Sequence, residues 1–359
     1  MPTNYGRTPT SKQADTNKRP YLSEYRNIPI DRGVFALNKF LIEIDRYMYD
    51  CTDRNLSTKT MRSYDQTLRL FQRYLTEKQS IDKPEQVKSE HIRAYFTYIR
   101  ERGKYNALAD DSMRDVNGLH NRGDVGRPVS ETTLANYQRN IAAFFSYLYR
   151  EKAIRKNPCE GIEKIKPQRK VKALLSENEL ALFFRSFDVS KFHEFRTWII
   201  ARMILDTGCR IGELVSIMPS DIDLRNGALL LRNTKSKHER FVYFSHKMGS
   251  NLRSWLEYRD RYTNSQYVFP SIKGNMLDIR TVGASFKRHS KLVGLDVQPH
   301  QLRNNFAKYY LLNGGDWSTL SRILGHSSVD VTQQAYLDFT DQEVGRKYQK
   351  HSPLNNLDI

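Results

Sequence analysis

Thr207-Gly208-Cys209-Arg210-Ile211-Gly212-Glu213 follows an apolar run from Trp198-Ile199-Ile200 to Leu205. The run predicts a buried helix that stops at Gly208, because glycine accepts the left-handed turn that ends a helix. The chain then turns and presents Arg210. Three later stretches complete a set: Thr234-Lys235-Ser236-Lys237, then His300-Gln301-Leu302-Arg303, then Leu324-Gly325-His326 with Tyr336 beyond it. Ala228 to Leu231 and Phe241 to Phe244 read as two short strands of a hairpin carrying Lys235 and Lys237 at its tip. A lysine on such a tip can swing into a cleft on binding. His300 and Arg303, three apart, share one side of a helix whose start favours an anion. Leu320, Ile323 and Leu324 predict a further helix closed by Gly325, which leaves His326 just past its end. Cys209 reads as a small apolar filler.

Two arginines, a lysine, two histidines and a tyrosine suit the attack of a phenol oxygen on a phosphodiester. A guanidinium matches two phosphate oxygens at once, and a pair neutralises the extra charge of a pentacoordinate phosphorane. Lysine suits proton donation, since burial and neighbouring arginines pull its pKa down from about 10.4. Tyrosine, with an unperturbed pKa of about 10, needs a nearby base and a cationic surround to lose its proton. His300 and His326 are the groups that supply them. With 21 tyrosines in the chain, only the distance from His326 selects Tyr336, with Tyr348 as the fallback.

In this order and spacing the stretches resemble the signature of the phage-integrase family of tyrosine recombinases. The resemblance implies that Arg210 and Arg303 clamp the phosphate, Lys235 is the general acid, and His300 transfers protons. It further implies that His326 bonds the scissile phosphate, Tyr336 is the nucleophile, and Glu213 buttresses the site without reacting. The chain departs from the common pattern in three places. Lys237 stands two residues after Lys235 and rivals it as general acid. Tyr336 lies ten residues beyond His326, where nine is common, and Asn304 follows Arg303 where a histidine is common. The implied fold is mainly α with a small β-sheet or hairpin in the C-terminal domain, arranged as a two-domain DNA clamp. The implied activity is site-specific DNA recombination through a covalent 3′-phosphotyrosyl intermediate and a Holliday junction. The implied partners are double-stranded DNA, three further copies of the chain in a homo-tetramer on two DNA sites, and an accessory directionality protein. Two other readings use the same residues: DNA relaxation of the type IB topoisomerase kind, and sequence-specific binding without catalysis.

Composition agrees with a DNA partner. At 359 residues the chain is long enough for two cores. Its 58 Lys+Arg against 40 Asp+Glu give a formal charge of +18, a surplus that a polyanion neutralises and that makes binding fall with salt. Cys51, Cys159 and Cys209 are odd in number and form no Cys-x-x-Cys pair, as expected of free thiols in a reducing, cytoplasmic, nucleoid-associated setting. No His/Cys cluster has metal-ligand spacing, and no stretch approaches the roughly 18 apolar residues of a membrane span. Neither a metal nor an organic cofactor is expected.

Residues 1–30 read as a flexible basic arm and 31–163 as a helical domain. Ser57 sits like an N-cap before Met61, Tyr64, Leu68, Phe71 and Leu75, one apolar face of a helix. A similar stripe recurs from Ser130 through Leu134, Tyr137, Ile141, Phe144 and Leu148. By the same resemblance this is the SAM-like core-binding module, with Lys59, Thr60, Arg62, Thr132, Asn136 and Arg139 on its DNA face. Gly103 to Pro128, rich in glycine, reads as a long loop between the two helices. Residues 164–175 form a basic linker in which Lys166, Arg169, Lys170 and Lys172 can follow a DNA backbone. Ser176-Glu177-Asn178-Glu179 is a capping box that opens a catalytic domain over 176–340. The tail, 341–359, is a candidate for docking on a neighbouring subunit.

Overall fold

A computed structural model of the chain describes residues 38–106, 123–167, 174–232, 239–326, 328–336 and 345. It divides into two compact units, Met1–Arg169 and Lys170–Ile359. The predicted arm, the tail apart from residue 345, most of the long loop and the segments 168–173 and 233–238 lie outside the described residues.

The first unit is helical: α1 (Lys39–Asp53), α2 (Thr58–Gln79), α3 (Ser89–Arg102) and α4 (Glu131–Arg150). Each N-terminus leaves amide N–H groups without a helical partner, and at α1, α2 and α4 short polar side chains take them up. Asn38 accepts from the amides of Phe40 and Leu41, Ser57 from Thr60, and Ser130 from Thr133. The apolar faces of α2 and α4 meet those of α1 and α3 in a core rich in aromatics, including Phe40, Phe71, Tyr95, Phe144 and Phe145. One buried amide joins the two long helices. Asn140 Nδ2 donates to Thr67 Oγ1 at 2.9 Å and lies 3.1 Å from the Ser63 carbonyl. The ends of the glycine-rich excursion are tied together, with Lys104 N–H on the Arg127 carbonyl and Gly126 N–H on that of Lys104. The helices α1 and α3 were not foreseen, although Phe40, Ile44, Tyr47, Met48 and Cys51 have the spacing of a buried face.

The second unit opens with α5 (Glu177–Arg185), whose Ser176–Glu179 capping box forms as predicted. The apolar run becomes α6 (Phe192–Thr207), stopped by Gly208 in the left-handed region at φ 67°. A one-turn helix, α7 (Ile211–Leu214), follows it. Next comes an antiparallel sheet ordered β1 (Ile222–Asp223), β2 (Ala228–Leu231), β3 (Arg240–Tyr243). The hairpin was legible, but its second strand begins one residue earlier than expected. Arg240 pairs with Leu231, while Phe244 leaves the ladder to donate to the Gly227 carbonyl. Four helices complete the unit: α8 (His246–Asp260), α9 (Ile279–Leu292), α10 (Pro299–Leu312) and α11 (Trp317–Leu324), with α12 (Val329–Tyr336) after them. The main core gathers α6, the sheet and α8 to α10 around Trp255, Phe183, Phe269 and Phe286. Helix α10 packs along α6. Buried Asn305 locks α10 to the start of the unit, donating to the Leu175 carbonyl at 2.7 Å and accepting from its amide. No described helix is long and apolar enough to cross a membrane.

Candidate active site

The site is built around the C-terminal end of α11. A helix end leaves carbonyls without amide partners and carries a partial negative charge, so it draws cationic donors. Here three arginines from three distant segments take three successive carbonyls. Arg240 Nε donates to Ile323 at 3.0 Å, Arg303 Nη2 to Leu324 at 2.7 Å, and Arg210 Nη2 reaches Gly325 at 3.5 Å. Gly325 turns left-handed at φ 62°, and a Cβ there would stand 2.9 to 3.0 Å from the Arg240 guanidinium. The glycine is therefore required twice, by backbone conformation and by the arginine lying against it.

Arg303 is 2% exposed and points back from the first turns of α10. Its Nη1 donates to the carbonyl of Gly208, the residue that ends α6. A Cβ on Gly208 would overlap the ring of Phe306, one turn along α10. The α6 terminus and the Arg303 side chain thus fix each other's place.

Arg210 caps α7, with its side chain 32% exposed. The Glu213 carboxylate, 3% exposed, accepts from the Arg210 amide at 2.9 Å and from Arg210 Nη1 at 3.1 Å. It also takes a two-pronged contact from Arg240, Nη1 at 2.9 Å and Nη2 at 2.8 Å. Burial alone would raise the Glu213 pKa. The hydrogen bonds from Arg240 and the Arg210 amide, with the charges of both arginines, outweigh it and hold the carboxyl below its ordinary value. Arg240 was missed in the sequence, where it reads as one more basic residue beside a basic loop.

His326 follows Gly325 and lies between these cations. Arg303 Nη2 is 3.3 Å from its Nε2, and Thr332 Oγ1 is 2.8 Å from its Nδ1. An arginine can only donate, so Nε2 must accept and Nδ1 carries the proton toward Thr332. Burial pushes the ring's pKa down to about 4, helped by the charges of Arg303, Arg210, Arg240 and His300. It is therefore neutral at pH 7. His300 occupies the first turn of α10, exposed and close enough to add to that field. Cys209, between Gly208 and Arg210, is fully buried, and burial pushes its thiol up to about 12, which suits a filler.

The structure thus brings Arg210, Glu213, Arg303, His326 and the unforeseen Arg240 together, with His300 beside them. Tyr336 is the last residue of α12, and its side chain lies outside the description. Lys235 and Lys237 lie outside the described residues, between β2 and β3. In the first unit Lys59, Arg62, Thr132 and Arg139 are exposed, while Thr60 and Asn136 are half-buried. Thr132, Asn136 and Arg139 border a groove of about 730 Å³ between α4 and the segment near Ile162. Lys166 is exposed, and Arg169, Lys170 and Lys172 lie outside the described residues. The segment before Lys166 is held to α4: Gln138 accepts from the Ile165 amide at 2.7 Å and donates to the Glu163 carbonyl at 2.8 Å. Among the described residues no group of three or more His, Cys, Asp or Glu could hold a metal ion.

The phage integrase family model matches residues 173–343, and that of the phage integrase N-terminal SAM-like domain matches 44–113. The chain belongs to the phage integrase family. Both units of this integrase-family chain also have full-length relatives. A tyrosine recombinase XerC of Listeria innocua serovar 6a is 28% identical over 310 residues, which is 84% of this chain and 94% of that protein. Among solved structures, the Tn1549 transposon integrase in complex with transposon right end DNA matches with a TM-score of 0.64 at 16% identity. That match covers 86% of this chain and 99% of the other. The XerH site-specific recombinase bound to palindromic difH substrate gives 0.63 at 20% identity, covering 85% and 83%. These two likenesses show the fold, mostly helical with a small sheet.

Proposed function

We propose that this chain is a site-specific tyrosine recombinase that cuts and rejoins double-stranded DNA. The observation that carries the reading is the convergence of Arg210, Arg303 and His326 on one helix end. Two guanidiniums held there by backbone acceptors, and a neutral imidazole held by Thr332 and Arg303, make a cationic seat suited to a phosphodiester. In this reading Tyr336 attacks the scissile phosphorus and forms a 3′-phosphotyrosyl bond, while the 5′-oxygen leaves with a proton from Lys235, or from Lys237 in its place. Arg210 and Arg303 hold the non-bridging oxygens. His300 takes the tyrosine proton, and His326, neutral in the absence of DNA, gains basicity as the anionic phosphate arrives, takes a proton from solvent at Nε2 and donates it to a phosphate oxygen. The phosphodiester energy stays in the protein–DNA linkage, so a second strand's 5′-hydroxyl can reverse the attack.

Relatives named tyrosine recombinases favour strand exchange over relaxation or binding alone. By the same reading four copies act on two sites through a Holliday junction, an accessory protein sets direction, and the reaction takes place in the reducing cytoplasm on nucleoid DNA. The basic surplus supplies non-specific affinity, with Lys59, Thr60, Arg62, Thr132, Asn136 and Arg139 as contacts in the first unit and Lys166, Arg169, Lys170 and Lys172 between the units.

The test uses a duplex nicked near the cleavage site, so that the short fragment bearing the new 5′-hydroxyl diffuses away and the covalent complex is trapped. DNA recovered by crosslinking to the wild-type protein supplies the site. The wild type is expected to give an adduct stable to denaturant, and Tyr336→Phe none. An adduct from Tyr336→Phe would move the nucleophile elsewhere, and no adduct from the wild type would end the enzyme reading. A plasmid carrying two sites then separates recombination from relaxation.

A further inference from the structure

Arg240 holds the buried Glu213 carboxylate with a two-pronged contact, at 2.9 and 2.8 Å. Arg210 reaches the same carboxylate with one guanidinium nitrogen, Nη1, at the longer distance of 3.1 Å. Among these three side chains there are two positive charges and one negative, and the surplus lies on Arg210. It is the more exposed of the two arginines, 32% against 12%. If Arg240 were neutral, Glu213 would remain a nearly dry carboxylate with Arg210 as its one cation in the triad. Two-pronged pairing is the stronger arrangement for such a pair, so the Arg210 guanidinium would turn onto Glu213 and its charge would be cancelled there. A ligand phosphate would then meet a neutral pair.

We infer that Arg240 is a positioning residue whose guanidinium balances Glu213, so that Arg210 keeps its charge and its outward donors for the DNA phosphate. The inference rests on the proposed function and deepens it. Three features support it. Arg240 commits its third nitrogen, Nε, to the Ile323 carbonyl, which sets its other two nitrogens against Glu213. Gly325 leaves room for the guanidinium where any side chain would strike it. Arg240 is also the first residue of β3, on the described side of the segment that carries Lys235 and Lys237, so the same contacts anchor one end of that connection.

A purely structural role and a charge-balancing role predict different behaviour when both partners are neutralised. The measurement is the single-turnover rate of adduct formation on the nicked duplex for wild type, Arg240→Gln, Glu213→Gln and the double variant, with folding followed by thermal melts. Arg240→Gln is expected to lose about 100-fold, the scale of removing one donor from a developing oxyanion. The double variant, in which Arg210 has no anion to fall upon, is expected to regain at least about 10-fold of that loss. Arg240→Lys, which keeps the charge, should be faster than Arg240→Gln. A wild-type rate for Arg240→Gln, or a double variant no faster than Arg240→Gln, overturns the inference. Should Arg240→Gln fail to fold, the double variant is compared with Glu213→Gln alone. Rates within about 10-fold support charge balance, since a neutral residue 213 leaves Arg240 nothing to offset, and a larger gap overturns it. No adduct from the wild type would instead refute the enzyme reading on which this rests.

Discussion

Replacing Gly325 with alanine separates two costs that the structure puts at one residue. The backbone there is left-handed, φ 62°, and an L-residue in that region costs about 1 to 2 kcal/mol. The added methyl would also lie 2.9 Å from Arg240 Cζ and 3.0 Å from Nε and Nη1. The guanidinium must then shift, which weakens the Ile323 contact and the pairing that compensates buried Glu213. Removing one partner of a buried pair outright costs about 3 to 5 kcal/mol, which is the upper limit here. Gly294 provides the control. It has φ 71° with open space around its hypothetical Cβ, so Gly294→Ala carries only the backbone cost. The expected difference between the variants is about 2 to 4 kcal/mol, allowing Arg240 some freedom to repack. Tryptophan fluorescence during urea unfolding reads it directly, because the chain's three tryptophans, Trp198, Trp255 and Trp317, all lie in the second unit. If Gly325→Ala costs no more than Gly294→Ala, the arginine does not depend on that space and the reasoning fails.

Three other outcomes follow from particular contacts. Asn140→Ala removes the buried amide that joins α2 and α4 and should cost about 2 kcal/mol; circular dichroism should record the loss, with tryptophan fluorescence of the second unit unchanged. For His326, the folded pKa of about 4 lies below the ordinary 6.5, so on acidification the unfolded chain takes the proton first. The stability present above pH 6.5 is thus lost as pH falls toward 4. The loss is about 1 to 3 kcal/mol, the lower figure allowing for solvent screening of a half-buried ring, and the difference between wild type and His326→Gln isolates it. A difference that does not change over that range would contradict the neutral ring. Cys209 and Cys51 are fully buried, and burial raises the pKa of both thiols; a thiol reagent at pH 8 should label neither until denaturant is added, and rapid native labelling at either would refute that placement.

The sequence made visible what is local. Serine caps at Ser57, Ser130 and Ser176, glycine stops at Gly208 and Gly325, and the apolar stripes of α2 and α4 each follow from a few adjacent side chains. The integrase-family fold and the two hairpin strands were readable for the same reason. Arg240 was not, because what distinguishes it from the nearby lysines is a carboxylate 27 positions earlier and a carbonyl 83 positions later. The acceptors at Ile323, Leu324 and Gly325 were hidden more deeply, since a peptide carbonyl is the same at every residue. Asn305, two residues past the motif's Arg303, showed no sign of its hold on Leu175, 130 positions away. The apolar stripes of α1 and of α3, the latter Ile92, Tyr95, Phe96 and Ile99, were equally local. The two-residue β1 offers too little alternation to see.

The seating of Arg240, Arg303 and Arg210 on successive carbonyls has a consequence for insertions and deletions. Peptide groups are spaced by covalent geometry, so adding or removing one residue between Ile323 and Gly325 would break the register that lets the three arginines sit side by side. No substitution of the side chains there can delete an acceptor, whereas a change of length displaces every acceptor beyond it relative to those before it. Past His326 that constraint ends. An extra residue on the way to Tyr336 changes the reach of a helix without disturbing the arginines, which is where this chain's ten-residue spacing lies. The site therefore has a part whose length is locked by the backbone and a part whose length can drift, and the boundary between them is a single histidine.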